Sequence, residues 1–220
     1  MNAMNEELAR RHMIQQQLRT CERMTPDTVE LLYADRREHY VPAPYRAFAF
    51  ADLAIPLSQT AAMLTPKLET RLLEEAHLRL DARVLQIGTG SGHLAALLAE
   101  RAREVWSVEI DPALAERARA NLAADGVMNV SVIVGDGLAG LPGQAPYDCI
   151  VVAGGVSEIP RAWRDQLKVG GRLLAFVGQP PAMSLRRVER RGADAYFATD
   201  LLETQVAMLQ GGAAPRPFVF

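Results

Sequence analysis

With 220 residues, 49% of them hydrophobic and 23% charged, the chain is long enough to bury a full core as one α/β domain with an extension. Its formal net charge of −2 gives no broad electrostatic pull toward nucleic acid or an anionic membrane. A charged N-terminus without a long apolar run predicts neither a signal peptide nor a membrane span, so a cytoplasmic location is expected. Cys21 and Cys149 lack metal-type spacing, and His12, His39, His77 and His93 form no ligand pattern, so no metal is expected.

In chain order, Leu8, Met13, Ile14 and Leu18 predict a helix from Glu6 to about Leu18. Thr25 reads as the cap of a second helix with Pro26 at its first position and Val29, Leu31 and Leu32 inward. The Pro-containing run Tyr40–Tyr45 opens an irregular segment that lasts to Thr65-Pro66, where a helix carrying Leu68, Leu72, Leu73 and Ala76 begins. From about Leu80, strands and helices alternate. Strands are predicted near 84–88, 104–110, 130–135, 148–153, 171–177, 184–191 and 201–210, and helices near 91–101, 112–124 and 160–166. This alternation predicts a Rossmann-like α/β fold, a parallel sheet with helices on both faces. The last two strands have no helix between them, so at least one antiparallel edge pair is expected. Cys149, inside an apolar strand, reads as a small core hydrophobe. Leu167–Leu173 reads as a helix stop, a glycine turn and a new strand. The chain divides into an extension over 1–79, packed on a core over 80–220, as one structural unit.

The chemistry concentrates in Val84–His93. A β-branched run enters a loop with Gly88, Thr89, Gly90 and Gly92 and leaves as an Ala/Leu-rich helix, the arrangement that holds nucleotide-containing cofactors. The next strand ends in Glu109-Ile110, and Glu109 stands where a carboxylate can accept from both ribose hydroxyls. A third strand runs into Asp136-Gly137. Asp136 can accept from an adenine amino group, or serve only as a turn residue. Ala153-Gly154-Gly155 closes the fourth strand with small residues, which leave room for a reacting centre or make a tight turn. The loop reads G-x-G-x-G rather than the G-x-G-x-x-G of nicotinamide proteins, and no nucleoside-triphosphate loop is present. With Glu109 and Asp136 it is similar to the S-adenosylmethionine site of class I methyltransferases; a nicotinamide dehydrogenase is the runner-up.

The chain also resembles the protein-L-isoaspartate O-methyltransferase family over most of its length. The likeness runs through Met13–Arg19, Tyr40-Val41-Pro42, Phe50-Ala51-Asp52, Pro56, Gln59-Thr60, Val84–His93, Asn129-Val130, Gly135-Asp136-Gly137, Pro146-Tyr147-Asp148, Ile159-Pro160 and Gln166–Gly171. The resemblance implies S-adenosylmethionine as cofactor and methyl transfer to the α-carboxylate of isoaspartyl residues in damaged proteins. It places the substrate segment within 1–79, with Asp52 or Gln59 orienting the substrate and the Thr60 hydroxyl donating to it. The expected partner is a protein or peptide with a carboxylate acceptor, without nucleic acid or membrane, and the expected state is a monomer or homodimer.

Several positions depart from the family pattern. Ala62 stands where the family has the Ser of Gln-Thr-Ile-Ser-x-Pro, leaving Ser58 and Thr65 as the nearby alternative hydroxyls. Gln86 replaces a Glu, Ala153-Gly154-Gly155 replaces Thr-Ala-Ala, and Val206–Gln210 lacks the Phe-Val-Pro-Leu ending. These departures keep open a relative that methylates another acceptor, or a cofactor-binding module without catalysis.

Overall fold

The computed structural model describes residues 3–20 and 24–212, so Cys21 lies outside the described residues. Helix α1 (Ala3–His12) does not run regularly to Leu18; at Met13–Gln17 it widens into a π turn closed by the Leu18 N–H on the Met13 carbonyl. In this geometry Met13, Ile14 and Leu18 are all buried, whereas Leu8, expected inward, is 51% exposed. A π turn keeps helical hydrogen bonds but shifts the apolar face, which a fixed 3.6-residue period does not capture.

Helices α2 (Pro26–Ala34) and α4 (Pro66–Ala76) start alike. The Thr25 and Thr65 hydroxyls accept from the N–H groups of Thr28 and Leu68, and Pro sits at the first turn where no N–H is needed. Between them lie a single-turn helix α3 (Arg37–Tyr40), a 3₁₀ turn (Ala43–Phe48) and a hairpin of β1 (Ile55–Pro56) with β2 (Ala62–Met63). The hairpin falls in the segment expected to be irregular. Two-residue strands are too short to show an alternation.

The central sheet contains β3 (Arg83–Ile87), β4 (Glu104–Glu109), β5 (Val130–Val134), β6 (Tyr147–Val156), β7 (Leu167–Gln179), β8 (Ala182–Arg190) and β9 (Tyr196–Glu203), in the order β5-β4-β3-β6-β7-β8-β9. The first five are parallel; β8 and β9 add two antiparallel pairings at one edge. Connecting helices are α5 (His93–Ala99), α6 (Pro112–Ala124) and α7 (Arg161–Asp165). Successive strand residues serve opposite cores. Val84 and Val151 pack with Leu72 and Leu98 on one face, while Leu85 and Val152 pack with Trp163 on the other. A third cluster joins Met13, Ile14 and Tyr40 to Ala95 and Ala96 of α5 and Leu122 of α6, seating the N-terminal helices on the sheet's helical layer. Cys149 is buried, and burial pushes its thiol up to about 12. No helix among the described residues is long and apolar enough to cross a membrane.

Two boundaries differ from expectation. β7 runs without interruption through Gly170-Gly171. Leu167 faces Tyr147 and Arg172 faces Cys149, so the glycines form a bulge rather than a turn between elements. The final strand is Tyr196–Glu203, not 201–210. Residues 204–212 instead leave the sheet and cross back to β6: the Gly155 N–H donates to the Ala207 carbonyl and the Leu209 N–H to the Gly155 carbonyl, each at 2.8 Å. The chain lays β4 and β5 on one side of β3 and β6 on the other. The strand order therefore reverses beside β3, which opens a crevice at the carboxyl ends.

Candidate active site

From Ile87 the backbone turns through Gly88–Gly92 into α5. Within this loop the Gly90 N–H donates to Glu109 Oε2 at 2.8 Å, and the Asp111 N–H donates to Oε1 at 3.1 Å. Glu109 is thus pinned at the tip of β4, 6% exposed, with one backbone donor on each oxygen. Each carboxylate oxygen keeps further acceptor capacity for a ligand hydroxyl. Beneath the loop, Ser107 Oγ donates to Gln86 Oε1 at 3.2 Å, Gln86 Nε2 donates to the Gly88 carbonyl at 3.0 Å, and Thr89 Oγ1 lies 2.6 Å from Ser107 Oγ. The Gln86 amide accepts on one side and donates on the other, which a carboxylate at this position cannot do.

Two small cavities meet at Glu109 and share Gly88, Ile110, Leu209 and Gln210. One, about 90 Å³, extends toward Thr60, Gln86, Thr89 and Ala153. The other, about 30 Å³, extends between Ile87 and Leu138 to Asp136 and Gly137. A larger open groove of about 970 Å³ lies elsewhere, between α2 and α5 near Leu31 and Leu97. It contains none of the strand-end polar groups, so size does not mark the site here; convergence of donors and acceptors does.

Asp136 meets both sequence readings. Its Oδ1 accepts from the Leu138 N–H at 2.9 Å, capping the following 3₁₀ turn, and the residue also lines the second cavity. At Gly137 a Cβ would come within 2.4 Å of Ile87 Cγ2, so the close approach of backbone to strand requires glycine. Gly92 faces elsewhere. It adopts φ +91°, and a Cβ there would meet the Ala118 carbonyl of α6 at 3.3 Å; it packs helix on helix and lines neither cavity.

In the segment between α3 and α4, Thr60 lines the first cavity, and its Oγ1 accepts from Gln210 Nε2 at 2.9 Å. Asp52 and Gln59 are exposed and line neither cavity. Ala62 faces the cleft. Neither alternative hydroxyl is directed there: Ser58 Oγ accepts from the Thr60 and Ala61 N–H groups, and Thr65 caps α4. Ala153 and Gly154 line the cleft, but Gly154 also accommodates the returning chain, since a Cβ would stand 2.6 Å from Leu209 Cδ2.

Sequence reasoning missed Ser91, Leu94, Glu69 and the crossing segment Ala207–Gln210 among the cleft residues. The small residues 153–155 were the available signal for a close backbone approach. His93 lines neither cavity; its ring is buried against Asp35 and Glu69, a constellation its sequence neighbours do not reveal.

The family model for protein-L-isoaspartate(D-aspartate) O-methyltransferase matches residues 8–211. The chain belongs to this family. A protein-L-isoaspartate O-methyltransferase of Methylorubrum extorquens is 38% identical over 210 residues, covering 95% of this chain and 92% of the relative. One from Methanoculleus marisnigri is 44% identical over 155 residues, 70% of each chain. Among solved structures, a protein-L-isoaspartate O-methyltransferase superposes with a TM-score of 0.80 at 26% identity, covering 91% of this chain and 65% of that one. A putative family member from Plasmodium falciparum, in complex with S-adenosyl-L-homocysteine, shares the fold with a TM-score of 0.79 at 16% identity, covering 91% of this chain and 97% of that one.

Proposed function

We propose that this chain is an S-adenosylmethionine-dependent protein-L-isoaspartate O-methyltransferase acting on the α-carboxylate of isoaspartyl residues in proteins or peptides. The observation that carries the reading is the Glu109 carboxylate, fixed by the Gly90 and Asp111 N–H groups where two cavities meet. That position suits a ribose, with Ile110, Leu138 and Asp136 around an adenine on one side. Gly88, Thr89 and Gly90 would frame the amino-acid end on the other. Family membership supports S-adenosylmethionine as the cofactor and a protein carboxylate as the acceptor.

The cofactor's sulfonium supplies an already activated methyl group. An acceptor carboxylate is ionised at neutral pH, so the protein needs no general base. Its residues work by positioning and by excluding water. Glu109 and Asp136 would hold the adenosine, while Thr60, whose residue lines the cleft, would donate to the acceptor. The 1–79 extension brings Thr60, Ala62 and Leu64 over the strand ends. Asp52 and Gln59, exposed outside both cavities, would act on the outer part of a bound peptide. A cleft of about 90 Å³ is narrow beside the roughly 300–1,000 Å³ of ordinary ligand sites, and opening the Gln210–Thr60 hydrogen bond, both of whose residues line it, would widen it for the cofactor.

A radiolabelled-methyl assay on an isoaspartyl peptide and its normal aspartyl twin tests the reading. Labelling of the isoaspartyl peptide alone is expected. Equal labelling of both, or of neither, rejects this acceptor.

A further inference from the structure

We propose that His93 is a positioning residue: its imidazolium, held between Asp35 and Glu69, locks the substrate-facing segment onto the helix that follows the glycine loop. The geometry favours the charge. Nδ1 lies 2.7 Å from Glu69 Oε2 and 3.1 Å from Arg37 Nη1, and Nε2 lies 2.9 and 3.1 Å from the two oxygens of Asp35. Each ring nitrogen faces a carboxylate, against one guanidinium beside Nδ1, and the doubly protonated ring donates to both carboxylates.

The ring sits at a junction of four helices. His93 is the first residue of α5, directly after Gly92. Asp35 caps the end of α2, Glu69 lies in the first turn of α4, and Arg37 on α3 donates to the same Glu69 carboxylate. Arg37 carries the clamp outward. Its Nε donates to the Ala49 carbonyl at 2.8 Å and its Nη2 to the Leu64 carbonyl at 2.7 Å. Those carbonyls bracket the segment that contains Thr60 and Ala62, and both Leu64 and Glu69 line the cleft. Arg37, His93, Asp35 and Glu69 form two positive and two negative groups with almost no solvent access, so the cluster is neutral only while His93 is protonated.

The other groups that bear on the ring are few. Tyr40 of α3 packs edge-on against it with centroids 5.2 Å apart. Arg10 of α1 acts on Asp35, and Asp125 and Glu100 act on the Tyr40 hydroxyl. Burial opposes the imidazolium most strongly, but the Asp35 and Glu69 carboxylates outweigh it and raise His93 to about 9. The charge therefore persists through neutral pH and is lost only in alkaline solution.

The kinetic arm of the test rests on the methyl-transfer reading; two further arms do not. NMR of the His93 ring nitrogens in the full chain is expected to show the doubly protonated form until the pH approaches about 9. In H93Q, hydrogen exchange is expected to quicken across residues 49–64 while S-adenosylhomocysteine still binds. In turnover of isoaspartyl peptide, H93Q is expected to lose roughly tenfold to a hundredfold in kcat/KM, the scale of a misplacement of about 1 Å. Wild-type kcat/KM should fall as the pH rises through about 9, a limb that H93Q lacks and that begins at lower pH in D35N. D35N alters only one side of the ring and gives the same readouts where H93Q does not fold. A neutral ring at pH 7, unchanged exchange over 49–64, or an alkaline limb identical in wild type and D35N overturns the proposal. Absence of methyl transfer by the wild type and every variant, with the exchange and NMR results as expected, overturns the function while leaving the clamp in place.

Discussion

The strand-end cradle and the segment 49–66 beside it are held by different kinds of contact. In the cradle, Gly88–Gly92 is one continuous loop, and Glu109 is fixed by backbone N–H groups of Gly90 and its near neighbour Asp111. In the segment, the anchoring donors come from distant side chains: Arg37 holds the Ala49 and Leu64 carbonyls, and Gln210 reaches Thr60 across 150 positions. Backbone contacts survive most changes of side chain, whereas the segment depends on a handful of residues.

Substitutions on each side should separate the two regions. The largest effect is expected at Gly90, which adopts φ +57° and has Leu57 Cδ1 3.0 Å from where a Cβ would stand. Gly90→Val should leave a soluble fold but no measurable heat of S-adenosylhomocysteine binding in calorimetry; retained binding would show that the cradle tolerates a side chain. Next is the clamp. Arg37→Met leaves Glu69 buried without its guanidinium partner and two carbonyls without donors, and should cost about 3–5 kcal/mol in urea unfolding.

The same region should respond to pH, through His93. Its pKa is raised in the folded protein, to about 9 from the ordinary 6.5. The contribution is therefore fully present below about 6.5 and is lost as the pH rises through about 9, with an upper bound of roughly 3 kcal/mol. Urea midpoints measured from neutral to alkaline pH should fall across this window, and a flat profile would remove the charge from the clamp. The smallest effects are expected at the two carboxylates of the cradle. Glu109→Ala should weaken cofactor binding by about 1–3 kcal/mol, and Asp136→Ala by the lower end of that range because Asp136 is exposed. Equal affinity in wild type and Glu109→Ala would displace the adenosine from this site.

What could be read from the sequence follows the same division. Apolar strands, the Thr25 cap, the Thr65-Pro66 helix start and the glycine loop are local signals, and they placed the sheet and most helices within a few residues. Two-residue strands at 55–56 and 62–63 and the π turn at Met13–Gln17 carry no period long enough to detect. The 201–210 expectation failed because Val206–Leu209 is apolar enough for a strand, yet Gly154 and Gly155 leave a slot on β6 that draws it out of the sheet.

By itself, the sequence determined a Rossmann-like domain, its glycine loop and the acidic residues at the tips of β4 and β5. Tertiary structure alone decided which hydroxyl faces the cleft, how the C-terminal segment crosses it, and that His93 meets Asp35 and Glu69. The physical reason is range: a glycine loop or helix cap is satisfied by neighbours a few residues away. A buried charge needs partners that only the packing of separate helices can bring together.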